Sequence, residues 1–200
     1  WRWMFWLGAI PAVWVFVAMR GVEEPEVFLK SRKAIADAGA RINPLAIFGP
    51  RYLKTTVLCS LLALGVQGGA FSIVLWLPTL LKTNLGLSTV AVGYYVLVLT
   101  AGSFVGYLVA AYLSDRIGRR RNFFLFTVLN WLAIPAFLYA PHVPVLTLAL
   151  IFTLGFSLLG IYSALGPYFT ELFPSTLRAN GQSFAYNFGR AVGAFYPALV

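Results

Sequence analysis

Ser114-Asp115-Arg116-Ile117-Gly118-Arg119-Arg120-Arg121 is the most charged stretch of the chain, and it lies between two long apolar runs, residues 90–113 and 123–140. About 20 apolar residues are enough for a helix to cross the hydrocarbon core of a bilayer. The two runs therefore predict a helical hairpin whose polar turn is held in water. Four of these eight residues are arginine, and basic residues in short loops are retained on the cytoplasmic side. With this turn inside, the sidedness of every other segment follows. Asp115 is expected just past the end of the first helix, where the helix dipole disfavours a carboxylate unless a cation or another helix N-terminus offsets it. Gly118 supplies the freedom to reverse direction. Two readings stay open: a solvated basic turn, or a latch between moving parts at the inner face.

The composition agrees with a membrane chain. Of 200 residues, 60% are hydrophobic and only 10% charged, outside the range of soluble domains. The net charge of +9 does not point to nucleic acid. Nearly all the basic residues fall in three inter-helix loops, without a stripe of interleaved aromatics. Sidedness and anionic membrane lipid explain them. The single Cys59 excludes an internal disulfide, and the single His142, in a Pro-flanked turn, cannot build a metal site alone. No cofactor is implied. The chain starts at Trp1 and ends in apolar sequence, so it is expected to be a fragment.

Working outward predicts an all-α bundle of about six membrane spans, near residues 3–19, 55–81, 90–113, 123–140, 145–169 and 183–200. Trp1, Trp3 and Trp6 make an interfacial belt at the start of the first. Residues 21–54 form the longest polar segment, with an amphipathic stretch at 26–38. Loops 21–54, 114–122 and 171–182 are expected to be cytoplasmic. They hold almost all the Lys and Arg, while the outer side holds only Arg2 and Lys82.

Several residues in these spans are candidates for function. Ser183, Tyr186, Asn187 and Arg190 are spaced to share one helix face. Arg190 is the ionisable residue at depth, and such a residue is a functional candidate by default. It either attracts a carboxylate substrate, or snorkels to the inner surface or pairs with Glu171. Thr100, Ser103, Tyr107 and Ser114 have similar spacing. Gln67 and Ser72 sit beside a glycine pair, and Ser157, Tyr162 and Ser163 flank Gly160. Such groups suit a polar solute in a cavity, or serve as interhelical hydrogen bonds. Gly102/Gly106 and Gly189/Gly193 are small-xxx-small pairs, read as static packing or as a sliding contact. No Asp or Glu occurs in residues 55–114 or 122–170. A proton-relay carboxylate is therefore expected outside this part of the chain. Paired carboxylates, a Ser-His-Asp set and a metal cluster are missing from the sequence, which argues against an enzyme.

Leu113-x-Asp115-Arg116-x-Gly118-Arg119-Arg120 resembles the loop signature of the major facilitator superfamily, with Ala111 where the usual form has Gly. Glu171-Leu172-Phe173-Pro174-Ser175-Thr176-Leu177-Arg178 is similar to the element after the tenth helix of sugar and organic-acid porters. Trp1-Arg2-Trp3-Met4-Phe5 and Glu23-Glu24-Pro25-Glu26 resemble the two ends of the sixth helix. The resemblance implies part of a twelve-helix fold. Residues 1–20 would be the last helix of the N-terminal half, 21–54 the central loop and 55–200 the C-terminal half. It places Gln67, Ser72, Thr100, Ser103, Tyr162, Ser163, Tyr186, Asn187 and Arg190 around a central cavity. Asp115, Arg116, Gly118, Arg119, Arg120, Glu171 and Arg178 would be gating residues, with Glu171 paired to Arg119, Arg120 or Arg178. The implied function is secondary transport of a small organic solute. The context of Arg190 resembles proton symporters of organic acids, so an anion and a coupling proton are expected. A sugar porter or a non-transporting receptor is the alternative.

Overall fold

The computed structural model describes residues 43–141 and 143–199, with scattered positions before residue 43. The chain divides into two compact units, Trp1–Asn43 and Pro44–Val200. Most of the first expected span and of the amphipathic stretch 26–38, and His142, lie outside the described residues.

The second unit is helical throughout, with no strand among the described residues. A 3-10 turn at Pro44–Phe48 leads into α1 (Leu53–Asn84), followed by α2 (Thr89–Ile117), α3 (Arg119–Tyr139), α4 (Pro144–Leu172) and α5 (Arg178–Gly193), and a second 3-10 turn at Tyr196–Ala198. At 1.5 Å per residue α1 is about 48 Å long, more than the ~30 Å of hydrocarbon it must cross. Local chemistry starts several of these helices. Ser88 caps α2 by accepting from the Ala91 amide at 3.3 Å, and Pro144 opens α4 at a position that needs no amide donor. Pro78, Pro135 and Pro167 lie inside helices that continue past them, as packed membrane helices allow.

Four of the six expected spans, the second to the fifth, are present as longer helices. The polar stretch 114–121 is not a loop: α2 runs on through Asp115 and Arg116 to Ile117, and α3 begins at Arg119. Gly118 alone separates them, with φ at +87°, a backbone geometry that L side chains rarely adopt. Backbone conformation, not polarity, ends these helices, so a helix carries its arginines into the headgroup layer. Residues 171–182 shorten likewise to a connection at 173–177 between α4 and α5. The sixth span was expected to run from 183 to the end. It instead begins at Arg178 and stops at Gly193, whose carbonyl would need an amide hydrogen from Pro197, which has none. Among the described residues four helices, α1 to α4, are long and apolar enough to cross a membrane. With 16 residues, α5 is shorter and carries polar side chains along one side.

Glycine sets the packing. Gly102 and Gly106 of α2 face the backbone of Phe152 and Phe156 of α4, and Gly155 of α4 faces the Leu99 carbonyl and the Ser103 amide. A Cβ at any of the three would overlap main-chain atoms. The two helices therefore touch backbone to backbone, the arrangement that substitutes for hydrophobic driving force inside lipid. On the other side Gly189 and Gly193 of α5 lie against Ala63 and Gly68 of α1. Phe126 of α3 fills a notch at Gly160 of α4. The outward surface is apolar: Phe124, Trp131 and Val145 are 71%, 73% and 77% exposed. An exposed apolar surface of this extent marks contact with lipid or with further protein.

Candidate functional site

Two groups of candidate residues come together at different levels of the bundle. The first is on α4 and α5. Tyr162 and Tyr186 are half-buried and Arg190 is exposed. Tyr186 and Arg190, four residues apart, share one side of α5. Asn187, one residue on, donates its amide to the Ser183 carbonyl at 2.9 Å, on the exposed side of α5. Arg190 lies in the last turn of α5, where the helix dipole favours a cation. It makes no ion pair with any described residue. Glu171, its possible partner by sequence, is engaged elsewhere.

The remaining polar candidates are tied to the backbone. Gln67 is 2% exposed and donates to the Tyr186 carbonyl at 2.7 Å, joining α1 to α5. Ser72 donates to the Gly68 carbonyl at 3.0 Å and Ser163 to the Gly160 carbonyl at 3.0 Å. Ser103 is buried in the α2–α4 contact. Thr100 is exposed, its hydroxyl bonded to the Val96 carbonyl at 2.9 Å. Interhelical and local hydrogen bonds thus account for Gln67, Ser72 and Ser163.

The second group lies where α2, α3 and α4 end. Ser114, Asp115, Gly118, Arg119, Arg120 and Glu171, with Tyr168, line one surface depression. Arg119 Nε is 2.8 Å from Glu171 Oε1. Each charge sits at the wrong helix end for its sign, Arg119 at the N-terminus of α3 and Glu171 at the C-terminus of α4. Each would be unfavourable alone, and the pair cancels both. Among the three partners expected for Glu171, the structure pairs it with Arg119. Arg178 is exposed at the start of α5. Arg116 places its guanidinium 4.7 Å from the Tyr112 ring centroid, a cation–π contact. Asp115 is exposed in the last turn of α2 and makes no ion pair with any described residue.

Sequence reasoning missed the polar residues of α3. Asn122 is fully buried and donates to the Ala110 carbonyl at 3.1 Å, bracing the tight α2–α3 corner. Asn130 donates to Ser157 Oγ at 2.9 Å, linking α3 to α4. Trp76 donates to the Pro197 carbonyl at 3.0 Å, holding the second 3-10 turn on α1. The signal was present: Asn122, Phe126 and Asn130 recur at helical spacing and face inward.

Against known proteins, residues 1–197 match the sequence profile of the Major Facilitator Superfamily. The chain is 38% identical over 197 residues to the probable 4-methylmuconolactone transporter of Cupriavidus pinatubonensis, covering 97% of this chain and 44% of that protein. It is 30% identical to a putative metabolite transport protein of Haemophilus influenzae, over 100% of this chain and 50% of that protein. It is 27% identical to the cis,cis-muconate transport protein of Acinetobacter baylyi, over 100% and 49%. The chain spans about half the length of the curated relatives it matches. No solved structure matches. This all-α, multi-pass membrane chain belongs to the Major Facilitator Superfamily, whose members are transporters and not enzymes.

Proposed function

We propose that the protein is a secondary active transporter that carries a small organic anion by alternating access, coupled to protons. The observation that carries this reading is Arg190, which is exposed on α5 one helical turn from Tyr186 and makes no ion pair among the described residues. A guanidinium with no ion-pair partner among the described residues is a ready bidentate site for a carboxylate. The relatives named for methylmuconolactone, muconate and citrate–proton symport support the same substrate class. In this reading residues 1–20 close one helical half, 21–54 connect the halves, and 55–200 form most of the second half. Loops 21–54, 114–122 and 171–182 face the cytoplasm. Tyr162, Tyr186, Asn187 and Arg190 contact the substrate. Asp115, Arg116, Gly118, Arg119, Arg120, Glu171 and Arg178 bias which face is open, as two helical bodies rock around a midplane site.

Uptake into vesicles carrying the complete protein tests it. A labelled unsaturated dicarboxylate should accumulate when the exterior is acidified, and an uncoupler should abolish accumulation. Uptake of a neutral sugar in place of the acid would assign the protein to the sugar porters. Specific binding without uptake would mark it as a receptor.

A further inference from the structure

α5 carries Arg190 in its last turn and stops at Gly193. Helix ends fray, because their last carbonyls have no amide partner within the helix. A guanidinium on such a turn keeps a fixed position only if a neighbour holds the main chain beneath it. α1 is that neighbour. Gly189 lies against Ala63 and Leu64, and Gly193 against Gly68, so closely that a Cβ at either glycine would overlap main-chain atoms of α1. The pairs Ala63/Gly189 and Gly68/Gly193 advance together, so α1 and α5 run in the same direction.

Gln67 lies between these two contacts and is 2% exposed. A helical side chain leans towards the N-terminus of its own helix, and the Gln67 amide reaches back to donate to the Tyr186 carbonyl at 2.7 Å. That acceptor matters. In an α-helix each carbonyl also receives the amide four positions on, which for Tyr186 is the amide of Arg190. Gln67 therefore grips, from α1, the main-chain bond on which the turn bearing Arg190 is built. Among the described residues it is the only side-chain hydrogen bond that joins α1 to α5. The glycine contacts fix how close the two helices come. A directed hydrogen bond also fixes their register and rotation.

We propose that Gln67 is a positioning residue for the anion site: too buried to touch a solute, it sets the height and rotation at which α5 presents Arg190. The proposal rests on the reading of Arg190 as the carboxylate-binding group. A bidentate guanidinium–carboxylate pair needs two parallel hydrogen bonds. A small turn of the end of α5 breaks one of them and leaves the charge in place. Gln67 thus acts on affinity for a carboxylate more than on assembly of the bundle. Loss of its amide orphans no group of α5, because the Tyr186 carbonyl keeps the Arg190 amide.

The test is a double-mutant cycle on the complete protein in detergent, read by binding of labelled hexadienedioate, an unsaturated dicarboxylate. Gln67→Met keeps the length and bulk of the side chain and lacks the donor. It should weaken binding roughly three- to ten-fold, the worth of one hydrogen bond, with thermal unfolding little changed. In an Arg190→Ala background the same substitution should weaken it no further, since the group it positions is gone. Amide hydrogen exchange over residues 186–194 should quicken several-fold in Gln67→Met. If that variant does not survive extraction, Gln67→Asn, whose amide falls one methylene short of the Tyr186 carbonyl, completes the cycle. Equal weakening in both backgrounds would make Gln67 an independent contributor and overturn its positioning role, with Arg190 still the carboxylate site. Wild-type affinity or unchanged exchange in Gln67→Met would overturn that role in the same way. No binding by the wild type, or wild-type affinity in Arg190→Ala, would instead remove the carboxylate reading itself and the positioning role with it.

Discussion

Arg190 shows what a single residue tells and withholds. Its place on a polar face was readable from its spacing with Ser183, Tyr186 and Asn187. That Glu171 was not its partner was not readable, because Arg119, Arg120, Arg178 and Arg190 all fit the sequence as partners of Glu171. A charge-assisted hydrogen bond is worth about 1.5–3 kcal/mol, so Arg190→Ala should weaken substrate binding by roughly 10- to 100-fold. Arg190→Lys should weaken it less, since lysine keeps the charge but not the planar fork. Helix insertion should be unharmed or favoured, as a charge leaves the membrane. Substrate-dependent fluorescence of the purified variants measures this, and wild-type affinity in Arg190→Ala would remove the residue from the substrate site. Glycines divide in the same residue-by-residue way. Gly106→Ala drives a Cβ into the Phe156 backbone and should lower stability by about 1–3 kcal/mol. Gly93 of α2 is exposed with nothing within 4 Å of its Cβ position, so Gly93→Ala should raise stability by about 0.5–1 kcal/mol. Thermal unfolding of both variants in one detergent checks the opposite signs.

At the scale of elements, apolar runs located α1 to α4 but not their ends. Burial in lipid is averaged over 20 or so residues, whereas a helix end depends on one backbone conformation, here that of Gly118. The ion pair across α3 and α4 follows from those ends. Because α3 starts at Arg119 and α4 stops at Leu172, the two dipoles face each other with opposite charges between them. Arg119 and Glu171 are 33% and 54% exposed, so water screens the pair and its stability contribution should stay below about 1 kcal/mol. A double-mutant cycle of Arg119→Gln and Glu171→Gln should find that small coupling in unfolding, together with a larger coupling in transport rate. Coupling in stability alone would make the pair a structural clamp.

At the scale of the molecule, the arrangement separates a rigid contact from a latch. α2 and α4 touch through their backbones at three glycines, which leaves little room for sliding along that seam. The charged ends differ: Asp115 is exposed and makes no ion pair with a described residue. A carboxylate at a helix C-terminus is unfavourable without a partner, so a conformation that brings it a cation or a helix N-terminus gains stability. Asp115→Asn should therefore lower transport rate more than protein abundance, because it shifts a conformational equilibrium rather than the fold. Parallel assays of uptake and of membrane-inserted protein decide it, and equal loss of both would assign Asp115 a folding role.

Sequence alone determined the membrane class, the order of the helices and the charged corners between them. These depend on lipid solvation and backbone satisfaction, which act on each segment separately. It also carried the family, through short motifs at 111–120 and 171–178. Tertiary structure alone decided which polar groups remain available. Gln67, Ser72 and Ser163 stood as solute ligands in sequence, and in the structure each donates a hydrogen bond to a carbonyl of the bundle, as Asn187 does. Asn122 and Asn130, which sequence reasoning passed over, brace α3. A polar side chain in lipid must find a partner, and which partner it finds depends on what lies across the helix contact. Likewise Gly65 and Gly69 are indistinguishable in sequence from Gly68. Only the neighbouring helices show that one is filled by Tyr196 and that the others line a groove among the described residues.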